Sequence, residues 1–142
     1  MKITVVQPTY IQKENPCENI RRWLLDALKQ LQPGALMVLP EYSNAGGTSD
    51  PKEELAAVQY APVMLEAASK AAKEKGSYVA VNVLEERGGK LYNSTYLYDR
   101  QGSVHFVYDK IHLPPSEVAL GMVPGDGACV CELDGIRFGF LT

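Results

Sequence analysis

Residues 35–41, Ala-Leu-Met-Val-Leu-Pro-Glu, form the stretch that decides the fold of this chain. The first five residues are a continuous apolar run, which is typical of a short β-strand buried on both faces of its sheet. Proline has no backbone N–H to donate, so Pro40 is expected to end the strand, and Glu41 follows at its carboxyl end. A strand covered on both faces needs a packed layer on each side, and this predicts a layered α/β domain.

Helical segments flank this strand along the chain. Asn15-Pro16 precedes apolar residues at helical spacing, which predicts a helix with Asn15 as its N-cap, and Pro33-Gly34 ends the pattern. Asp50-Pro51 repeats the start signal. Pro62 is expected to split or kink this second helical region.

Strands fill most of the remaining chain. The predicted strands cover residues 3–6, 78–84, 91–98, 103–108, 128–133 and 136–141. Short turns join the segments between 78 and 108 into a β-meander, and Asp134-Gly135 is a two-residue hairpin turn between the last two strands. Residues 114–127 are rich in proline and glycine and are expected to be irregular. The order favours an α/β domain whose first half crosses over through helices and whose second half runs in hairpins.

Composition and charge exclude several classes of protein. The 142 residues are 46% hydrophobic and 22% charged, as in ordinary globular proteins. A formal net charge of −3 argues against nucleic acid or an anionic membrane as a partner. No apolar stretch approaches the roughly 20 residues that span a bilayer. The three cysteines are odd in number and unevenly spaced, which favours a reducing, cytoplasmic setting over a disulfide framework.

Three charged side chains are candidates for chemistry. Glu41 follows the buried strand at the end where α/β folds usually build their sites. Lys110 comes just after the predicted strand 103–108 and would suit a fixed cation facing a developing oxyanion. Glu117 lies in the irregular segment, where long loops are often functional. Each also fits a structural interpretation, as a solvated loop acid, a surface lysine paired with Asp109, and an exposed loop glutamate respectively.

The histidines and cysteines give no metal signal. His105 and His112 do not cluster with each other or with cysteines at the spacing of metal ligands. Cys129 and Cys131 alternate on one predicted strand, which favours small residues that fill a core. Taken singly, none of these residues establishes a function.

Several separated blocks, taken in order, resemble the nitrilase superfamily, the carbon–nitrogen hydrolases. The blocks are Gln7-Pro8, Leu39-Pro40-Glu41-Tyr42, Tyr92-Asn93-Ser94-Thr95, Tyr108-Asp109-Lys110-Ile111-His112-Leu113 and Pro124-Gly125-Asp126. The resemblance covers essentially the whole chain. It implies an α-β-β-α sandwich that is incomplete here, with residues 1–142 as the N-terminal part of a single hydrolase domain.

The resemblance also implies roles for individual residues. Glu41 matches the family's general base, and Lys110 matches the lysine that stabilises the tetrahedral intermediate. Glu117 is the match for a second glutamate that positions the reacting groups, and Tyr42 lies in a loop expected to bind substrate. In that family a nucleophilic cysteine follows a strand resembling residues 135–142, so the resemblance implies it at the position directly after Thr142. None of Cys17, Cys129 and Cys131 matches that motif.

The implied activity is hydrolysis of a non-peptide carbon–nitrogen bond in a small amide, carbamoyl compound or nitrile, through a Glu-Lys-Cys triad. No metal or organic cofactor is implied, and a homodimer or larger homo-oligomer is expected. Residues 1–142 alone are expected to be inactive. The alternatives are a catalytically inactive relative or fragment that acts as a binding or scaffold protein, and a glutaminase-like module of a larger synthetase.

Overall fold

The computed structural model describes residues 1–10 and 15–142, and its elements follow the predicted order. None of the helices in this part of the chain has the length and apolar character needed to cross a membrane. The helices are α1 (Pro16–Leu28), α2 (Pro51–Ala57), α3 (Ala61–Lys75) and α4 (Pro115–Ala119). The strands are β1 (Ile3–Val5), β2 (Leu36–Val38), β3 (Tyr78–Arg87), β4 (Lys90–Tyr98), β5 (Val104–Asp109), β6 (Cys129–Leu133) and β7 (Ile136–Phe140).

Two kinds of strand connection build the main sheet. Its five strands lie in the order β1-β2-β3-β4-β5. The first three are parallel, because helical segments return the chain to the same edge, whereas β3, β4 and β5 are antiparallel and joined by turns. Strands β6 and β7 form a separate two-stranded sheet. The predicted helical crossovers and the predicted meander are both confirmed.

Alternate residues of the central strands supply two different cores. On one face, Met37 and Val79 pack with Leu24 of α1 and with the inner side of α3. On the other face, Ala80 and its neighbours pack against Leu133 of β6. Strand β2 is therefore buried on both sides, as its unbroken apolar run predicts. The layers are helices, five-stranded sheet and two-stranded sheet, and the α/β class is confirmed.

The helix starts show where local signals hold and where they fail. The Asp50 side chain accepts a hydrogen bond from the Lys52 N–H and caps α2, as predicted. Pro62 lies in the first turn of α3, after a short 3₁₀ segment that separates this helix from α2. Asn15 occupies the N-cap position of α1 as predicted, and its carbonyl accepts from the Asn19 N–H, but its φ is 54° and its side chain makes no capping hydrogen bond.

The segment predicted to be irregular contains the short helix α4, which begins after Pro114. Proline suits the first helical turn, where its missing N–H is not needed, and Pro115 occupies that position. The helix brings Glu117 back over the end of β4 and β5.

The face that carries Ala80 changes character along the strands. On this face Asn82 of β3 pairs with Thr95 of β4. Two residues further along β3, Leu84 pairs with Asn93. The backbone N–H of Lys110 then donates to the carbonyl of Asn93, 2.9 Å away. This sheet face is therefore apolar where the β6–β7 hairpin covers it, and polar further along the strands, toward Asn82 and Asn93.

Candidate active site

Lys110 is the centre of a buried cluster of charged side chains. Its Nζ lies 2.9 Å from Glu41 Oε1 and 2.9 Å from Glu117 Oε1, and only 10% of its side chain is exposed. Burial lowers the pKa of Lys110, but the hydrogen bonds and charges of the two glutamates outweigh it, so the pKa is raised above its ordinary value. Lys110 is therefore a fixed cation at neutral pH.

The structural alternative for Lys110, a surface ion pair with Asp109, is wrong. Successive residues of a strand point to opposite faces, so Asp109 and Lys110 diverge. Asp109 Oδ2 accepts from Arg87, and its Oδ1 accepts from the Ser94 hydroxyl. Gly125 packs directly on the Asp109 backbone, where a Cβ atom would come within 2.3 Å of the carbonyl oxygen.

Glu117 is buried rather than exposed, with 6% of its side chain accessible. Its Oε1 accepts from the Lys110 ammonium, from the Asn93 amide at 3.2 Å and from the Tyr42 hydroxyl at 2.7 Å. Its Oε2 is also buried and has no hydrogen-bond partner within the described residues. The exposed-loop interpretation of this glutamate is therefore wrong, and one of its oxygens retains its full capacity to accept a hydrogen bond.

Glu41 is the most accessible member of the cluster, with 41% of its side chain exposed. It follows β2 through Pro40, as the sequence indicates. Its Oε1 accepts from Lys110 Nζ and from Asn93 Nδ2, the latter at 2.7 Å. Glu41 is thus anchored to the cluster through one oxygen while the side chain still reaches solvent.

Tyr42 turns the chain back toward the cluster. Its φ of 55° lies in the left-handed region, which is unusual for a residue other than glycine. The turn brings its hydroxyl to Glu117, and burial together with this hydrogen bond raises the pKa of Tyr42. The hydroxyl therefore stays protonated and acts as a donor to the carboxylate.

The structure brings together Glu41, Tyr42, Lys110 and Glu117, the four site residues that the sequence indicates. It adds Asn93 and Asn82, which sequence reasoning assigned no role. Asn82 Oδ1 accepts from the Tyr42 N–H at 2.7 Å, and its amide donates to Asn93. The available signal was the placement of both asparagines inside strands, where a buried amide must have hydrogen-bond partners.

No group of three or more His, Cys, Asp or Glu residues in positions 1–10 and 15–142 has an arrangement that would hold a metal ion. The Cys17 thiol donates to the carbonyl of Ala45 and is buried, and burial raises its pKa. Cys131 packs at the edge of the core beneath the hairpin, as predicted. The side chain of Cys129, to which the same prediction applied, lies outside the described part.

This cluster of one ammonium and two carboxylates lies beyond the ends of β2 and β5. The profile of the family described as Carbon-nitrogen hydrolase matches residues 2–142. The chain belongs to the carbon–nitrogen hydrolase family. A Schizosaccharomyces pombe protein described as a hydrolase is 27% identical over 133 residues, which cover 86% of this chain and 41% of that protein.

Solved structures of carbon–nitrogen hydrolases share the fold. A variant of the amidase from Nesterenkonia sp. AN1, with acrylamide added to its active-site cysteine, superposes with a TM-score of 0.74 at 20% identity, covering 99% of this chain and 56% of the amidase. The carbon–nitrogen hydrolase from Helicobacter pylori G27 superposes with a TM-score of 0.67 at 22% identity, covering 87% of this chain and 45% of that protein. The chain therefore spans about half the length of the relatives that it matches.

Proposed function

We propose that this protein hydrolyses a non-peptide carbon–nitrogen bond in a small amide, carbamoyl compound or nitrile. The observation that carries the proposal is the Lys110 ammonium, held 2.9 Å from the carboxylates of both Glu41 and Glu117. A charged, largely buried cluster costs folding free energy through desolvation, so its retention favours a chemical role over a structural one.

Lys110 is proposed to stabilise the oxyanion of the tetrahedral intermediate. Its raised pKa keeps it charged, and its hydrogen bonds to two carboxylates hold it in place before substrate arrives. A preorganised donor of this kind contributes about 3–4 kcal/mol of transition-state stabilisation in other hydrolases.

Glu41 is proposed to be the general base of a Glu-Lys-Cys triad. It would take the proton of a cysteine thiol, whose sulfur then attacks the amide carbon while the carbonyl oxygen becomes negative. Collapse of this intermediate breaks the carbon–nitrogen bond, and the proton held by Glu41 leaves with ammonia. Glu41 then takes a proton from water, whose oxygen attacks the acyl carbon. The carbon–sulfur bond breaks, the acid leaves, and Glu41 returns the proton to the sulfur, which restores the thiol.

The cysteine of this triad is proposed to follow Thr142, as the resemblance implies, with residues 1–142 forming the N-terminal part of a single hydrolase domain. Cys17 does not suit the role, because its pKa is raised and its thiol donates to a backbone carbonyl, whereas nucleophilic cysteines have lowered pKa values. The active-site cysteine of the Nesterenkonia amidase, which shares the fold, supports a thiol mechanism.

Glu117 and Tyr42 are proposed to shape the substrate site. Glu117 would position the reacting groups by holding the Lys110 ammonium and the Tyr42 hydroxyl on its Oε1, while Tyr42, fixed by its hydroxyl, would line the pocket. The Nesterenkonia amidase has also been crystallised as a variant in complex with butyramide, which supports a small amide as substrate. We also propose that the protein is cytoplasmic and that it forms a homodimer or a larger homo-oligomer.

The test begins with the intact mass and C-terminal sequence of the natural gene product that contains these residues. A cysteine directly after Thr142 is expected, and any other residue there would overturn the triad. Ammonia release from a panel of small amides, carbamoyl compounds and nitriles then measures activity, and Glu41→Gln and Lys110→Ala should each abolish it. Residues 1–142 alone are expected to release none.

The same measurements separate the alternatives. Binding of an amide without ammonia release would favour an inactive relative with a binding or scaffold role. Release from glutamine, together with a nucleotide-binding domain in the gene product, would favour a glutaminase-like module. Retained turnover in Glu41→Gln would show that another residue is the base.

A further inference from the structure

Asn93 contacts every charged member of the cluster. The side chain lies on β4 and the residue is 1% exposed. Its Nδ2 donates to Glu41 Oε1 and to Glu117 Oε1, and its backbone carbonyl accepts from the Lys110 N–H. It therefore links three residues that come from a turn after β2, the end of β5 and α4.

The orientation of the Asn93 amide follows from a backbone donor. The Tyr42 N–H can only donate, so the oxygen of the Asn82 side chain faces it. The Asn82 amide nitrogen then faces Asn93 Oδ1, 2.7 Å away, and also donates to the Thr95 hydroxyl. The remaining end of Asn93, its NH₂ group, must face the two carboxylates.

We propose that Asn93, oriented by Asn82, is the positioning residue that holds Glu41 and Glu117 in the geometry required for catalysis. The inference rests on the proposed function and adds to it a residue that acts through the two glutamates. A neutral amide suits this position, because its two N–H groups bind both carboxylates without adding a charge to the one cation and two anions already present.

The arrangement also identifies the reacting oxygen of Glu41. Both hydrogen bonds that Glu41 receives within residues 1–10 and 15–142 end on Oε1, one from Asn93 and one from Lys110. Oε2 is therefore the oxygen that takes and returns the proton. Without Asn93, a side chain that is 41% exposed would be free to rotate away from Lys110.

The test compares Asn93→Leu with Ser94→Ala in the natural gene product that contains these residues. Ser94 is the adjacent buried polar residue, but its hydroxyl binds Asp109 on the opposite face of the sheet, so it is the matched control. NMR titration of Lys110 Nζ is the readout. The pKa of Lys110 is expected to fall in Asn93→Leu, because Glu41 is no longer held at the ammonium, and to stay unchanged in Ser94→Ala.

Asn93→Ser repeats the measurement with a shorter polar side chain in case leucine prevents folding, and Asn82→Ser is expected to give a smaller shift in the same direction. A Lys110 pKa that stays at the wild-type value in the folded Asn93 variants would overturn the proposal. An equal fall in Ser94→Ala would do the same.

Kinetics of the natural gene product provide the second readout. Asn93→Leu is expected to lower kcat about 10- to 100-fold with KM little changed, as for a misplaced catalytic group. A rise in KM with kcat unchanged would overturn the positioning role. A wild-type protein without activity on any amide or nitrile would overturn the proposed function, while the Lys110 titration would still decide whether Asn93 positions the cluster.

Discussion

The two ends of one sheet face differ sharply in chemistry. At one end, Leu133 of the β6–β7 hairpin packs on three buried apolar residues, Leu36, Ala80 and Leu97. Along the same strands, the other end carries Asn82, together with the hydrogen-bonded charges beyond it.

The difference separates stability from function within one layer. Apolar burial at the hairpin end contributes favourable free energy at about 25 cal/mol per Å² of apolar surface. At the other end, each charge must first lose its hydration, and the attraction between charges only offsets that cost. The apolar end should therefore hold the domain together, and the polar end should matter for chemistry. The following predictions test this division, beginning with the largest expected effect.

Lys110→Met should cost about 3–5 kcal/mol of unfolding free energy, because it leaves the buried Glu117 carboxylate without its cation. Adding Glu117→Gln should recover most of that loss, since glutamine keeps an acceptor for Tyr42 and Asn93 and carries no charge. Urea unfolding followed by circular dichroism measures both variants. If the double variant were as unstable as the single one, the ion pair itself would be a major source of stability, and the division would fail.

Leu97→Ala should cost about 2–5 kcal/mol, because Leu97 is fully buried between the sheet and the hairpin. The cluster around Lys110 should keep its geometry, and its NMR titration should match the wild type. Val104→Ala is the control, as this strand residue is 49% exposed and its truncation should change stability by less than about 0.5 kcal/mol. A shifted Lys110 titration in Leu97→Ala would show that the two ends are coupled.

Gly125→Ala should cost about 1–3 kcal/mol, because the new methyl group would meet the Asp109 carbonyl oxygen and push the loop from the end of β5. Since the Gly125 N–H also donates to the Lys110 carbonyl, the Lys110 NMR signal should move as well. Gly127→Ala is the control, as nothing lies within 4 Å of its added Cβ. Equal stability of the two variants would contradict the close packing at Gly125.

Asp134→Asn should have the smallest effect, at most about 1 kcal/mol. Asp134 pairs with Arg100 at the hairpin turn, where both side chains are 38% exposed, and asparagine tolerates its φ of 51°. Thermal unfolding of the variant beside the wild type measures the difference. A loss above about 2 kcal/mol would mean that this ion pair, rather than Leu133, secures the hairpin.

Much of the fold could be predicted from local patterns. The apolar run 35–39, the turns of the meander and the Asp50 cap each depend on neighbouring residues alone, and the structure agrees with them. Asn15 and the 114–127 segment were predicted less well. The Asn15 backbone is left-handed, and α4 is too short to show helical periodicity.

For the site, too, some features could be predicted from the sequence and others depended on the tertiary structure. The surface-pair interpretation of Lys110 fails because β5 runs one residue beyond the predicted strand, to Asp109, whose carboxylate binds Arg87 and Ser94 instead. The burial of Glu117 was not readable, because it depends on α4 folding back over β4 and β5. The roles of Asn82 and Asn93 likewise depend on which groups face them across the sheet.

The sequence by itself determined the α/β layering, the order of the elements and the family, through periodicity, turn residues and the ordered blocks around Glu41 and Lys110. Only the tertiary structure decided that residues as distant in sequence as Glu41 and Glu117 share one ammonium and one amide. The physical reason is that backbone patterns are local, whereas a charge inside a protein is stable only beside partners that chain topology brings to it.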